Sequence, residues 1–145
     1  MAIKTVLKNQ RRGVITIKST ATAGDATWLL QQTGAGALIV TDNGRDIRGL
    51  VSGRDLIRAL KTHGLDAMPP LTVAEIMRRN FATCRPEDSL RSAMTRMTAR
   101  GLRHIAVVGD NGPCGVLSLA EVMKGRLHRA RDEIAAACRD GALTT

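Results

Sequence analysis

A serine followed three residues later by a carboxylate occurs twice in the sequence, each time after a short apolar run that begins with glycine. The first copy, Gly49–Asp55, has the sequence GLVSGRD, and the second, Gly115–Glu121, has GVLSLAE. A helix that begins at such a serine presents free backbone amides to an anion, and the nearby carboxylate can accept hydrogen bonds from a diol such as ribose. The same spacing also forms a capping box, in which both side chains satisfy amides of the first helical turn. The motif alone leaves both interpretations open, but its repetition favours a repeated fold and indicates a ligand site.

The two motifs belong to a longer internal repeat, which predicts the same order of elements, β-α-β-β-α, in each copy. Because the helices of one unit cover only one face of its sheet, the two units are expected to pack sheet to sheet about a pseudo-twofold axis. The predicted fold class is therefore α/β (α+β), with tandem repeats and two equivalent clefts. The predicted strands are 14–17, 37–41 and 47–51 in the first copy and 81–84, 103–108 and 114–117 in the second; the predicted helices are 25–32 and 52–61, then 90–97 and a last helix from Ser118 past Arg131.

Glycine and proline mark the boundary between the two copies. The segment 63–71 contains Gly64, Pro69 and Pro70 and has no helical or strand periodicity. We therefore assign residues 1–62 to the first repeat, 63–71 to a linker, and 72–145 to the second repeat with its C-terminal helix. With 145 residues, the chain has room for two small units that share a core.

Net charge gives a second indication of the kind of ligand. The formal net charge is +9, which attracts polyanions and ligands that carry phosphate. Nucleic-acid binding is the alternative, but Trp28 and Phe81 are the only aromatic residues, whereas single-strand binders usually stack bases on aromatic rings. No helix-turn-helix or zinc-finger pattern is present in the sequence.

The cysteines and histidines do not form a metal-binding pattern. The three cysteines lack Cys-x-x-Cys spacing, and the three histidines do not pair with them at ligand spacing. Nucleophile–base pairs and P-loop sequences are also missing, so we expect neither a metal site nor an enzyme. These residues are Cys84, Cys114 and Cys138, with His63, His104 and His128.

Cysteine use and hydropathy predict the compartment. Unpaired thiols fit a reducing cytoplasm, and no apolar run approaches the roughly 20 residues that span a bilayer. The first residues, Met1–Thr5, lack the apolar core of a signal peptide. We therefore expect a cytoplasmic protein.

Over residues 13–128 the two repeats resemble CBS domains, the modules named after cystathionine β-synthase. The resemblance implies a stand-alone bacterial protein with one CBS pair, which acts as a regulatory module for an adenosine-containing ligand: AMP, ADP, ATP, NAD or S-adenosylmethionine. Such pairs commonly dimerise into a disc, and a regulated protein partner is a further implication. The residues that carry the resemblance are 36–40, 49–58, Met77, 86–90, 101–105 and 115–121.

In this family each cleft takes a hydroxyl and an acidic residue from one repeat and contacts the base through the other repeat. The resemblance assigns the first cleft as follows: Ser52 to phosphate or ribose, Asp55 to the ribose diol, Thr83 and Cys84 to adenine, and Arg103 and His104 to the phosphates. For Arg103 and His104 the alternative is an ordinary surface strand start.

The mirror cleft would differ in charge. It would use Ser118 and Glu121 with Thr16 and Ile17, and it would have Gly36 and Ala37 where the first cleft has His104 and Ile105. Since small apolar residues replace the cation there, we expect a charged nucleotide to prefer the Asp55 cleft. Glu121 also stands where the family usually has aspartate, which makes the mirror cleft the weaker site.

The last helix suggests a dimer contact. Met123, Leu127, Ala130, Ile134 and Ala137 are spaced by four and three residues in alternation, as in a coiled-coil seam. The seam predicts a homodimer, and the alternative is a helix that packs on its own domain.

Two functions from different classes remain open at this point. The first is a nucleotide-sensing regulatory module in which the ligand biases the packing of the repeats or protomers. The second is a basic interaction protein that binds nucleic acid or an acidic protein partner, with vestigial clefts.

Overall fold

The computed structural model describes residues 2–10, 13–139 and 141, and it contains two β-α-β-β-α units, each preceded by a short helix. The duplication predicted from the sequence is therefore confirmed, and α6 extends well past Arg131 as predicted. The first unit follows helix α1 (Ile3–Asn9) and consists of β1 (Thr16–Ile17), α2 (Ala23–Thr33), β2 (Ala37–Val40), β3 (Gly49–Ser52) and α3 (Gly53–His63). The second follows α4 (Val73–Ile76) and consists of β4 (Thr83–Cys84), α5 (Leu90–Ala99), β5 (His104–Gly109), β6 (Gly112–Ser118) and α6 (Leu119–Arg139).

The two sheets have the same topology. In the first, β2 lies between β1, to which it is parallel, and β3, to which it is antiparallel; β4, β5 and β6 repeat this order. The register is equivalent as well, because Ala37 is paired with Ser52 in the first sheet and His104 with Ser118 in the second. The strand pairing therefore aligns the two copies residue by residue.

Alternate strand residues separate the core into layers. In the first sheet Leu38, Val40 and Val51 face the helices of their own unit. Ile39 and Leu50 point the other way and meet the second sheet at Ala106. This alternation follows from the two-residue period of a strand. The predicted sheet-to-sheet packing is confirmed by this shared central layer.

Helix α1 packs on the second repeat, although it precedes the first. Ile3 and Val6 belong to the core formed by α5, β5, β6 and α6. The backbone amide of Ile3 donates to the carbonyl of Asp88, and that of Lys4 to the carbonyl of Pro86, both at 2.9 Å. The start of the chain thus completes the distant repeat.

Helix α4 makes the reciprocal contact with the first repeat. Val73 is fully buried in the core of that repeat. Its amide donates to the carbonyl of Ala21 at 2.7 Å, and the amide of Ala74 donates to that of Ser19 at 3.0 Å. Each short leading helix is therefore exchanged between repeats, a contact that the division into residues 1–62 and 72–145 did not foresee.

No helix in the described part of the chain is both long enough and apolar enough to span a bilayer.

Candidate functional site

A cavity of about 100 Å³ lies at the start of α3, between the two repeats. Ser52, Arg54 and Asp55 line one side of it. Residues of the second half of the chain line the other side: Arg78, Asn80, Phe81 and the segment 101–104. The structure thus brings together four of the six residues predicted for this cleft, Ser52, Asp55, Arg103 and His104.

Asp55 is the most buried ionisable side chain of this cavity, with 3% of its surface exposed. Its Oδ2 accepts a hydrogen bond from the Ser52 backbone amide at 2.8 Å and another from the Ser52 hydroxyl at 3.0 Å. Its Oδ1 faces the guanidinium groups of Arg58 at 3.1 Å and Arg78 at 3.8 Å. Oδ2 therefore caps the start of α3. Oδ1 could accept a hydrogen bond from a ligand if the two arginines moved away from it.

Positive charge surrounds this carboxylate. Arg54, Arg78 and Arg103 all line the cavity, and among the lining residues that the structure describes Asp55 alone is acidic. Arginine presents a planar fork of donors that matches phosphate oxygens, and its charge persists at any physiological pH. The cavity is therefore suited to a ligand that carries both hydroxyl groups and phosphate.

His104 is the first residue of β5 and lines the cavity between the two repeats. Partial burial lowers the pKa of its imidazole; Asp55 and Glu121 act in the opposite direction and Arg103 reinforces the lowering, as does Arg78. A Cβ atom placed on Gly36 would lie 3.1 Å from the His104 Nε2. Glycine at position 36 thus leaves space for the His104 imidazole. The lowered pKa favours the neutral form of that imidazole.

The second motif forms the equivalent cap at the start of α6. The Glu121 amide donates to the Ser118 hydroxyl and the Ser118 amide donates to Glu121 Oε1, both at 3.1 Å. The other carboxylate oxygen of Glu121, Oε2, accepts a hydrogen bond from the side-chain amide of Gln10 at 2.7 Å. The capping interpretation is confirmed for both motifs. The sequence analysis missed the contact of Glu121 with Gln10, the residue directly after α1.

Thr83 and Cys84 are not part of the Asp55 cavity, where the resemblance placed them. Cys84 is 2% exposed in the core of the second repeat, and burial raises the pKa of its thiol to about 12. Thr83 is exposed along a separate groove. Asn80 and Phe81, just before β4, line the Asp55 cavity instead.

The implied mirror-cleft residues are also distributed differently. Ala37 lines the Asp55 cavity, Thr16 is exposed, and Ile17 is buried in the core of the first repeat. Because Ala37 and His104 occupy equivalent register positions, Gly36 and Ala37 correspond to Arg103 and His104, not to His104 and Ile105. The expected contrast in charge remains, since a glycine and an alanine still replace an arginine and a histidine.

Arg78, Asn80 and Phe81 were not predicted as site residues. They follow α4, whose packing on the first repeat brings this segment beside Asp55.

Among the described residues no cluster of three or more histidine, cysteine, aspartate or glutamate side chains could hold a metal ion.

Comparisons with known proteins agree with this architecture. The family model of the CBS domain matches residues 5–62 and 73–128. The "CBS domain-containing protein CBSX3, mitochondrial" of Arabidopsis thaliana is 31% identical over 117 residues, which are 78% of this chain and 56% of that protein. The chain thus spans little more than half the length of this relative.

Solved structures show the same fold. The CBS-domain-containing protein ATU1752 from Agrobacterium tumefaciens is 27% identical, with a TM-score of 0.76 over 87% of this chain and 99% of that one. CBSX2, solved in complex with AMP, is 22% identical, with a TM-score of 0.69 over 89% and 98%. The chain therefore belongs to the CBS-domain family and carries a pair of CBS repeats.

Proposed function

We propose that this CBS pair is a regulatory, non-catalytic module that binds an adenosine-containing nucleotide in the Asp55 cavity. The observation that carries the proposal is the convergence of a buried carboxylate and three arginines from both repeats on one cavity. The AMP complex of CBSX2, a protein of the same fold, supports the choice of ligand class.

Binding would exchange the partners of Asp55. The ribose hydroxyls donate to Asp55 Oδ1, and the arginines that now face this oxygen turn to the phosphates. Arg58, whose side chain is 60% exposed, is free to move in this way. Since ligand-sized pockets usually measure about 300 Å³ or more, the cavity of about 100 Å³ must widen by such side-chain movement.

The surrounding charge favours anionic ligands within the class. AMP, ADP, ATP and NAD carry phosphate, whereas S-adenosylmethionine brings a positively charged sulfonium toward three arginines. A ligand that contacts both halves of the chain stabilises one arrangement of the repeats. A protein partner would detect that arrangement.

Substitution of Asp55 tests the site. Asp55→Ala removes the ribose acceptor, so we expect the nucleotide-induced rise in melting temperature to disappear. At a ligand concentration 100 times Kd, the rise in the wild type corresponds to about 2.7 kcal/mol of added stability. Thermal shift and calorimetric titration with AMP, ADP, ATP, NAD and S-adenosylmethionine measure the effect.

Glu121→Ala is the matched control, because it removes the acid at the equivalent position of the second motif and the same capping-box hydrogen bond from the serine amide. We expect it to keep the nucleotide response of the wild type. An equal response in the Asp55→Ala protein would show that Asp55 does not bind the ligand.

We further propose that the protein is a cytoplasmic homodimer. Met123, Leu127 and Ile134 on α6 are each more than half exposed, so this helix does not bury its apolar stripe on its own domain. A second copy of the helix would cover the stripe. The relative CBSX3 is described as mitochondrial, so the compartment of this chain needs a direct localisation experiment.

The alternative function rests on the formal net charge of +9. A basic interaction protein would shift generic RNA or DNA in a gel, and the shift would weaken steeply as salt rises. A salt-sensitive shift without any nucleotide response would favour this alternative.

A further inference from the structure

The side chain of Gln10 occupies the mirror cleft at the atoms where a ligand would bind. Its amide nitrogen donates to Glu121 Oε2 at 2.7 Å and to the carbonyl of Val116 at 3.0 Å. Both hydrogens of the amide group thus have acceptors, and the bond to the carboxylate is charge-assisted. A ribose hydroxyl would have to displace this amide to reach Glu121.

The equivalent position in the first repeat is held by Arg78 in a different way. Leu50, which occupies the register position of Val116, exchanges two backbone hydrogen bonds with Arg78, at 2.8 and 3.0 Å. The Arg78 side chain only approaches Asp55, at 3.8 Å. Asp55 Oδ1 therefore faces cations, which can also bind a phosphate, whereas Glu121 Oε2 faces a neutral amide whose two donors already have acceptors.

Helix α1 holds Gln10 in place. Val6, one helical turn before it, is buried in the core of the second repeat with Ile3. Leu7 packs so closely that a Cβ atom on Gly115 would lie 2.9 Å from its Cδ2. Moving Gln10 out of the cleft by shifting the backbone would therefore disturb a packed helix.

We propose that Gln10 closes the Glu121 cleft and so determines that each chain binds a single nucleotide, at Asp55. This inference rests on the proposed function. It adds a hydrogen-bonded side chain in one cleft to the difference in charge between the two clefts.

The number of ligands bound per chain tests the closure, measured by calorimetric titration with AMP and, separately, with ATP. We expect one for the wild type, two for Gln10→Ala, none for Asp55→Ala, and one for the double variant Asp55→Ala/Gln10→Ala. Asn9→Ala, at the exposed last residue of α1 next to Gln10, is the matched control and should bind one. A purely structural role of Gln10 could lower stability but could not restore binding to the Asp55→Ala chain.

The results separate the two claims. A wild type that binds two nucleotides, or a Gln10→Ala chain that binds no more than the wild type, overturns the closure and leaves the proposed function standing. If neither AMP nor ATP binds to the wild type or to Gln10→Ala, the proposed function itself fails.

Discussion

Asp55 and Glu121 show how one motif acquires two roles. In each, one carboxylate oxygen accepts the amide of the preceding serine, so the residue type is required by the start of the helix. The second carboxylate oxygen does not take part in the cap, and its partner differs between the two residues. Arginines face it in Asp55, and Gln10 donates to it in Glu121. Capping by one oxygen therefore leaves the other oxygen of Asp55 for the ligand contact proposed above.

The sequence predicted the acids but only part of their surroundings. Ser52, Asp55, Arg103 and His104 could be placed together because the resemblance to CBS domains assigns all four to one cleft. Gln10 lies 111 residues from Glu121 in the chain, and neither its type nor its position distinguishes it from other polar surface residues. Arg78 was missed because it follows a four-residue helix with no detectable periodicity.

The lowered pKa of His104 predicts that the free energy of unfolding depends on pH. Burial lowers its pKa in the folded chain below 6.5, while the unfolded chain titrates near 6.5. Below pH 6.5 the unfolded state thus binds more protons, so the free energy of unfolding falls as pH falls, by at most about 1.4 kcal/mol per pH unit from this group. Well above pH 6.5 the imidazole is neutral in both states, so His104 no longer makes the free energy of unfolding depend on pH.

His104→Gln removes this contribution and keeps a polar side chain. Urea denaturation between pH 5 and 7.5 should show a shallower decline for the variant than for the wild type. Because all other titrating groups are shared, the difference between the two curves isolates the imidazole. Parallel curves would mean that His104 protonates as readily in the folded protein as in the unfolded chain.

At the level of elements, the strands and long helices were predictable and the short helices were not. The turn at Asp42–Gly44 and the apolar runs on either side of it specify a hairpin by local chemistry. Helices α1 and α4 have seven and four residues and would not be stable alone. They form because their apolar residues are buried in the other repeat, which is tertiary information.

The exchange of helices predicts an unusual sensitivity near the start of the chain. Ile3 is fully buried in the second repeat. Ile3→Ala should therefore destabilise the protein by about 2–5 kcal/mol, the usual cost of such a cavity. Chemical denaturation measures the loss, with Thr5→Ala on the exposed face of the same helix as the control. Equal effects of the two substitutions would contradict the packing of α1.

At the scale of the whole molecule, the repeats are connected in three ways. They share the central layer around Ile39 and Leu50, they exchange α1 and α4, and they both line the Asp55 cavity. The resemblance correctly implied the paired arrangement, but it did not point to Asn80 and Phe81, before β4, as lining residues of the cavity. The proposed ligand would therefore act on the interface between repeats, where a small change in packing affects both units.

Helix α6 leads to the last prediction, which concerns assembly. The alternating four- and three-residue spacing places Ile134 on the seam and the neighbouring Ala135 off it, although both residues are exposed in the single chain. Ile134→Glu puts a charge into the proposed dimer contact, whereas Ala135→Glu adds the same charge outside it. Light scattering coupled to size exclusion should show a dimer for the wild type and Ala135→Glu and a monomer for Ile134→Glu, since an unpaired carboxylate is costly to bury between apolar side chains. A wild-type monomer, or a dimer that survives Ile134→Glu, would exclude this seam as the interface.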